Sequence, residues 1–155
     1  MKRFQFKLQR LANVREVQEQ QAREVWAAAE RAAQLGEDRV LGLRQQIEAA
    51  TREQLELQSR KQIPTSEVLA GQQLVDGLHR SLQKAEEQAR LLREQAEAAR
   101  IPWRERRAEL QGLQRLEERA TTDFHIEQER ENAHEMDQIA MERSARQGRR
   151  GPHSR

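Results

Sequence analysis

The chain has 155 residues, of which 35% are charged and 3% aromatic, with no tyrosine and no cysteine. Too few large apolar side chains are present for the wide core of a globular domain, which leaves either disorder or long helices meeting along a narrow seam. The formal net charge of +2 excludes a strongly polyanionic or polycationic protein, and the missing cysteines exclude disulfide and thiolate chemistry.

The first fifteen residues carry Lys2, Arg3, Lys7, Arg10 and Arg15 and no acid. They hold no apolar stretch of the secretory type, and no later run approaches the ~20 apolar residues that span a bilayer. A cytoplasmic protein without direct membrane insertion is expected. From about residue 5 to 60 the composition turns to Glu, Gln, Ala, Leu and Arg, all good helix formers. Leu8, Leu11 and Val14 open an apolar stripe, which Val25, Ala29, Ala32, Gly36, Arg39, Leu43 and Ile47 continue in steps of three and four. Residues 61–66 interrupt the pattern. Pro64 disfavours helix at Ile63, Thr65 or Ser66 offers a cap, and Glu67 suits the positive end of the next helix dipole.

The second helix is expected from about 66 to 145. Leu78, Leu82, Ala85, Ala89, Leu92, Ala96, Ala99 and Trp103 begin a seam that reaches Phe124. Two apolar positions in seven, flanked by charge, mark a coiled coil. The fold class is therefore all-α: a long antiparallel two-helix coiled-coil hairpin with a longer, overhanging second helix, forming one unit over residues 1–147. Residues 148–155, GRRGPHSR, read as a disordered basic tail. With the tip near Pro64, residue i faces roughly residue 128 − i. This register sets the alanines between 27 and 33 against Ala96, Ala98 and Ala99. It also puts Val25 opposite Trp103, and Gln128–Ser144 overhang the start of the first helix. At 1.5 Å per residue the two helices would measure roughly 80 and 120 Å. A parallel homodimer would satisfy the same periodicity. Pro102, one position off the seam, predicts a local kink with Trp103 wedged against Val25; Trp103 as an exposed partner anchor is the other reading.

No catalytic chemistry is visible. The four histidines form no HExxH pattern, no glycine-rich phosphate loop occurs, and a two-helix seam encloses no pocket. Neither an enzyme nor a cofactor or metal protein is expected. The basic ends suit phosphates or an acidic protein socket equally well, but without stacking aromatics or a binding motif no specific nucleic acid is implied.

Several stretches resemble the flagellar export protein family FliJ. They are Phe4-x-Phe6-x-Leu8-x-x-Leu11-x-x-Val14-Arg15 followed by Glu19 and Ala22, the turn Ile63-Pro64-Thr65-Ser66-Glu67-Val68-Leu69, Trp103 to Gln111 with Leu116 to Arg119, and Met136-Asp137-Gln138-Ile139-Ala140. Pro102, and Gln138 where the family has an acid, depart from its pattern. The resemblance implies a stalk-like coiled coil of the flagellar type III export apparatus, similar to stalk subunits of rotary ATPases and peripherally associated with the membrane export machinery. It also implies contacts with the hexameric export ATPase and with the cytoplasmic domain of the export gate, and a chaperone role alongside other export chaperones. On that basis the gate contact falls on Leu74, Leu78, Ser81 and Ala85. The ATPase ring would meet Lys2, Arg3, Lys7, Arg10, Arg130, Arg143 and Arg146, and Val25, Ala29, Ala99, Pro102 and Trp103 would form the seam and kink. A stalk of a virulence secretion system or a generic homodimeric scaffold would share this architecture.

Overall fold

The computed structural model describes residues 3–62 and 64–149. Lys2, Ile63 and the tail from residue 150 lie outside the described residues. Two helices make up the fold, α1 (Gln9–Gln58) and α2 (Thr65–Gly148), and among the described residues there is no strand. The chain pairs α1 with α2 as an all-α hairpin.

Both helices begin and end close to the expected places, and the differences have local causes. Residues 3–6 are not helical, and α1 starts once the Gln9 amide has bonded the Phe6 carbonyl and the Ala12 amide that of Leu8. The C-terminal end of α1 tightens. The Ser59 amide reaches both Leu55 and Glu56 carbonyls, and the Ser59 hydroxyl donates to the Glu56 carbonyl at 2.7 Å. At the start of α2 the Pro64 carbonyl accepts from the Glu67 and Val68 amides. Pro64 thus occupies the capping position, and Thr65 and Ser66, the two expected caps, are already helical. Glu67 sits in the first turn and Arg146 in the last, each complementing the dipole. The helix runs through Pro102 without a break. Proline leaves the carbonyl four residues back without its helical donor. Here Ala98 and Pro102 are both exposed, so the missing bond falls on the solvent side of the helix.

Two compact units divide the chain. The unit Val17–Arg107 contains the turn and the packed part of the hairpin. Its buried apolar residues are small: Ala33 and Ala96 are completely inaccessible, and Val40, Ala85 and Ala89 form the centre, with Leu43 and Leu82 packed against them. Gly36 lies against Ala89 and Leu92, where an added Cβ would come within 3.1 Å of Leu92 Cδ1. Along α2 the inward residues Leu78, Leu82, Ala85, Ala89, Leu92, Ala96, Ala99 and Trp103 are those of the expected seam. On α1 every second position differs. Trp26, Ala33 and Val40 face inward in place of Val25, Ala32 and Arg39, and Val25 is 63% exposed. The expected series took two consecutive steps of four, from Arg39 to Leu43 to Ile47, and so slipped out of phase. Strict alternation of three and four counted back from Leu57 gives Ile47, Leu43, Val40, Gly36, Ala33, Ala29 and Trp26. Burying Val40 and the Trp26 ring gains apolar area, whereas burying Arg39 would strand a charge.

The unit Met1–Glu16 with Ala108–Arg155 is formed by the N-terminal segment and the distal part of α2. Phe4 packs on Phe124 with ring centroids 5.5 Å apart, and Arg15 pairs with Glu109 at 3.0 Å. Leu8, Leu11 and Val14, expected on the seam, are exposed; Ala12 and Arg15 face inward instead, in phase with Trp26 and Ala22. Every residue from 129 to 149 is exposed.

Candidate functional site

In the unit Val17–Arg107 the cross-helix pairs define the register. The numbers of paired residues add to values from 122, for Glu19 with Trp103, to 130, for Arg44 with Glu86. The expected 128 lies within this span. One flank of the seam is ionic. Arg93 donates to Glu37 through Nε and to Glu30 through Nη1, both at 2.8 Å, and Arg44 reaches Glu86 at 3.0 Å. Bonding from Arg93 holds the Glu37 carboxyl below its usual 4.5, against a smaller opposing effect of desolvation. The same two carboxylates raise the Arg93 guanidinium, with Glu37 the larger cause.

At the end of the seam away from the turn lies a polar and aromatic cluster. The Trp26 and Trp103 rings stack at 4.6 Å with a 16° tilt, and the Arg107 guanidinium lies 5.2 Å from the Trp103 ring centroid. The Trp103 indole N–H donates to Glu19 Oε1 at 3.1 Å, and Arg23 donates to the other oxygen, Oε2, at 2.7 Å. Glu19 is 6% exposed and is the one buried charged residue among those described. Trp103 therefore meets Trp26 and Glu19 rather than Val25. Neither partner was read from the sequence. Trp26 was findable by strict heptad counting. Glu19 was not, because a carboxylate on a seam position looks like the end of the seam until its donors are known.

The residues expected at the export gate separate. Leu74 and Ser81 are exposed and stand one heptad apart on α2, and Leu78 is half-buried. Ala85 is 4% exposed in the centre of the core with Val40 and Ala89, so it has no surface to offer. The expectation for Ala85 is corrected on that ground: its position is a seam position, and the seam is closed there.

In the other unit, Phe4, Phe6, Leu8, Leu116, Ala120 and Phe124 line an open groove of about 690 Å³. Arg3 and Lys7 edge it, as do Asp123 and Glu127. Arg10, Arg130, Arg143 and Arg146 are exposed outside it, and Lys2 is not among the described residues. The overhang expected to carry part of the basic contact surface is itself mostly acidic. Between residues 128 and 144, Glu129, Glu131, Glu135, Asp137 and Glu142 outnumber Arg130 and Arg143. Net positive charge collects in the N-terminal segment and in the last turns of α2.

Among the described residues no cluster of histidines and carboxylates has the makings of a metal site, and no helix is long and apolar enough to cross a membrane. In comparison with known proteins, the family model described as flagellar FliJ protein matches residues 4–149. Neither the curated proteins nor the solved structures contain a match.

Proposed function

The chain belongs to the FliJ family, and from that membership we propose that it is a non-enzymatic, stalk-like component of the flagellar type III protein export apparatus. It engages the hexameric export ATPase and the export gate, works from the cytoplasmic side of the membrane, and serves as an export chaperone. The family match over almost the whole chain carries this reading, and the two-helix architecture supports it.

The ATPase contact is assigned to the unit Met1–Glu16 with Ala108–Arg155. Its aromatic groove between Phe4, Phe6 and Phe124, edged by Arg3 and Lys7, supplies both apolar area and charge. Arg10, Arg130, Arg143 and Arg146 extend the charged surface. The gate contact is assigned to Leu74 and Ser81, with Leu78 at its margin.

The test measures ATPase stimulation by this protein and by the Lys7→Glu, Arg10→Glu double variant. Both side chains are exposed, so the variant should retain the helical signal of the parent. Stimulation by the parent should fall as salt rises, because the screening length shortens from about 10 Å at 0.1 M to about 3 Å at 1 M. The variant should show the same loss already at low salt. DNA binding is measured in parallel. Full stimulation by the variant, with loss only of DNA binding, would overturn the ATPase assignment in favour of nucleic acid.

A further inference from the structure

Most of the contacts in the unit Val17–Arg107 are indifferent to how the two helices are aligned. The seam is largely alanine, so a shift of one heptad again places Ala29 and Ala33 on small or apolar residues. The Arg93 bridge is equally permissive. Its two partners, Glu30 and Glu37, are themselves one heptad apart, and a shifted Arg93 keeps one of them. A coiled coil with such a seam needs a feature that distinguishes one alignment from its neighbours, and buried polar groups are the best attested means.

We propose that Glu19, with Trp103 and Trp26, is a register lock: a device that fixes which residues of α1 and α2 face each other. The Glu19 carboxylate is buried and has both oxygens occupied, by the Trp103 indole N–H and by Arg23. Arg23 lies on the same helix and moves with Glu19, so it is blind to alignment. Trp103 alone reports the other helix. A shift of one heptad sets Ala96 in the place of Trp103, which leaves a buried carboxylate oxygen without a donor and separates the stacked indoles. An unsatisfied buried acceptor is disfavoured far more than an unmade surface pair.

The turn makes one direction of sliding open to test. A hairpin changes alignment when its tip migrates, one helix gaining about what the other loses, so a one-heptad change moves the tip by three or four residues. Migration toward the C-terminus would unwind the first turn of α2, which the Pro64 carbonyl caps, and would set Arg106 level with Ala29, a charge against the small residues of the seam. Migration toward the N-terminus puts Pro64 in the first turn of α2, where it is tolerated. The accessible neighbour therefore brings Ala29 level with Leu92 instead of Ala99.

Because the chain has no cysteine, two engineered pairs report the two alignments. Ala29→Cys with Ala99→Cys reads the native one, and Ala29→Cys with Leu92→Cys the shifted one. Disulfide formation within one chain is followed in a thiol redox buffer, together with the helical signal, the melting temperature and the far-ultraviolet exciton couplet of the stacked indoles. In the parent the first pair should close and the second should lag. Glu19→Leu should raise closure of the second pair by about tenfold and abolish the couplet, while helicity and melting temperature hold or rise, since an apolar residue is at home on a seam. Glu19→Gln, which keeps an acceptor for the indole N–H, should restore the parental pattern. Trp103→Phe, which keeps an aromatic ring and removes the donor, should loosen the register as Glu19→Leu does, and it carries the test if Glu19→Leu does not fold. Closure of the second pair that stays within twofold of the parent in both Glu19→Leu and Trp103→Phe would overturn the lock. So would a melting temperature that falls without any gain of the shifted pair, which is what a purely stabilising contact would give.

Discussion

Two glycines on α1 offer a measurement of how closely the helices approach. At Gly42 an added Cβ meets nothing within 4 Å, whereas at Gly36 it meets Leu92 Cδ1 at 3.1 Å and the Ala89 Cα at 3.4 Å. Replacing a glycine inside a helix by alanine removes backbone freedom from the unfolded chain and gains about 1 kcal/mol where nothing opposes it. Gly42→Ala should show that full gain, equivalent to a rise of about 2–4 °C in melting temperature for a chain of this size. Gly36→Ala has the same intrinsic gain, but its methyl group must displace the tip of Leu92 by a few tenths of an ångström. Leu92 is half-buried and can turn aside at the loss of part of its packing, so the net effect should lie between zero and about half the Gly42→Ala gain. Gly36→Leu would drive further atoms into the Ala89 backbone and should destabilise by about 1–3 kcal/mol. Urea unfolding followed at 222 nm, with an unchanged denaturant slope, reads all three. In a Leu92→Ala background the obstruction is gone, and Gly36→Ala should recover the full gain. If Gly36→Ala stabilises as much as Gly42→Ala in the parent background, the helices are farther apart at this level than described and the reasoning fails.

Three further outcomes follow from the same geometry. Because the Glu37 carboxyl is held below its usual 4.5 by Arg93, its contribution to stability is complete above that value and disappears as the pH falls through the lower, folded value; the stability difference between the parent and Arg93→Gln, measured by urea unfolding, should therefore be flat near neutrality and shrink in acid, and a difference that grows in acid would contradict it. Ala29→Cys with Ala99→Cys should form its disulfide within single chains, seen as a monomer of altered mobility on non-reducing gels, and a product between chains alone would refute the antiparallel pairing. Leu74→Asp should weaken binding to a cytoplasmic export-gate fragment without loss of helical signal, since Leu74 is exposed, whereas Ala85→Asp should lose helicity and binding together; binding by Leu74→Asp equal to the parent's would remove Leu74 from the gate surface.

The hairpin and the phase of α2 from Leu78 to Trp103 were legible because apolar residues recur there at three and four with few apolar rivals, Leu91 and Ala98, on the neighbouring positions. On α1 there is a rival. Val25 and Ala32 stand beside Trp26 and Ala33, so two phases are both apolar and local hydrophobicity does not choose between them. The choice is made across the seam, by Trp103 stacking on Trp26 and by Val40 displacing Arg39 from the core. The gate strip shows the same limit. The family resemblance placed Leu74, Leu78, Ser81 and Ala85 on one strip of a helix, but it could not say that the partner helix closes over Ala85 and leaves Leu74 open. Pairing residue i with residue 128 − i already sets Phe4 against Phe124, but the groove around that contact also needs the non-helical path of residues 3–6, which helical periodicity does not carry.

The stretch of α2 from residue 129 to 149 is exposed on every side, and this has a consequence for how it melts. A free peptide of about twenty residues with this composition would be a marginal helix, because starting a helix is far less favourable than lengthening one. Here the nucleus already exists in the packed part of the same helix, so each further residue only propagates it. Unwinding should accordingly advance from the C-terminal end one residue at a time rather than as a cooperative block. Amide exchange should then form a gradient along this stretch, fastest beside Gly148 and slowing steadily toward Gln128. A partner that grips any point of it would protect everything on the N-terminal side of the grip, making the length of protected helix a direct gauge of where the partner sits.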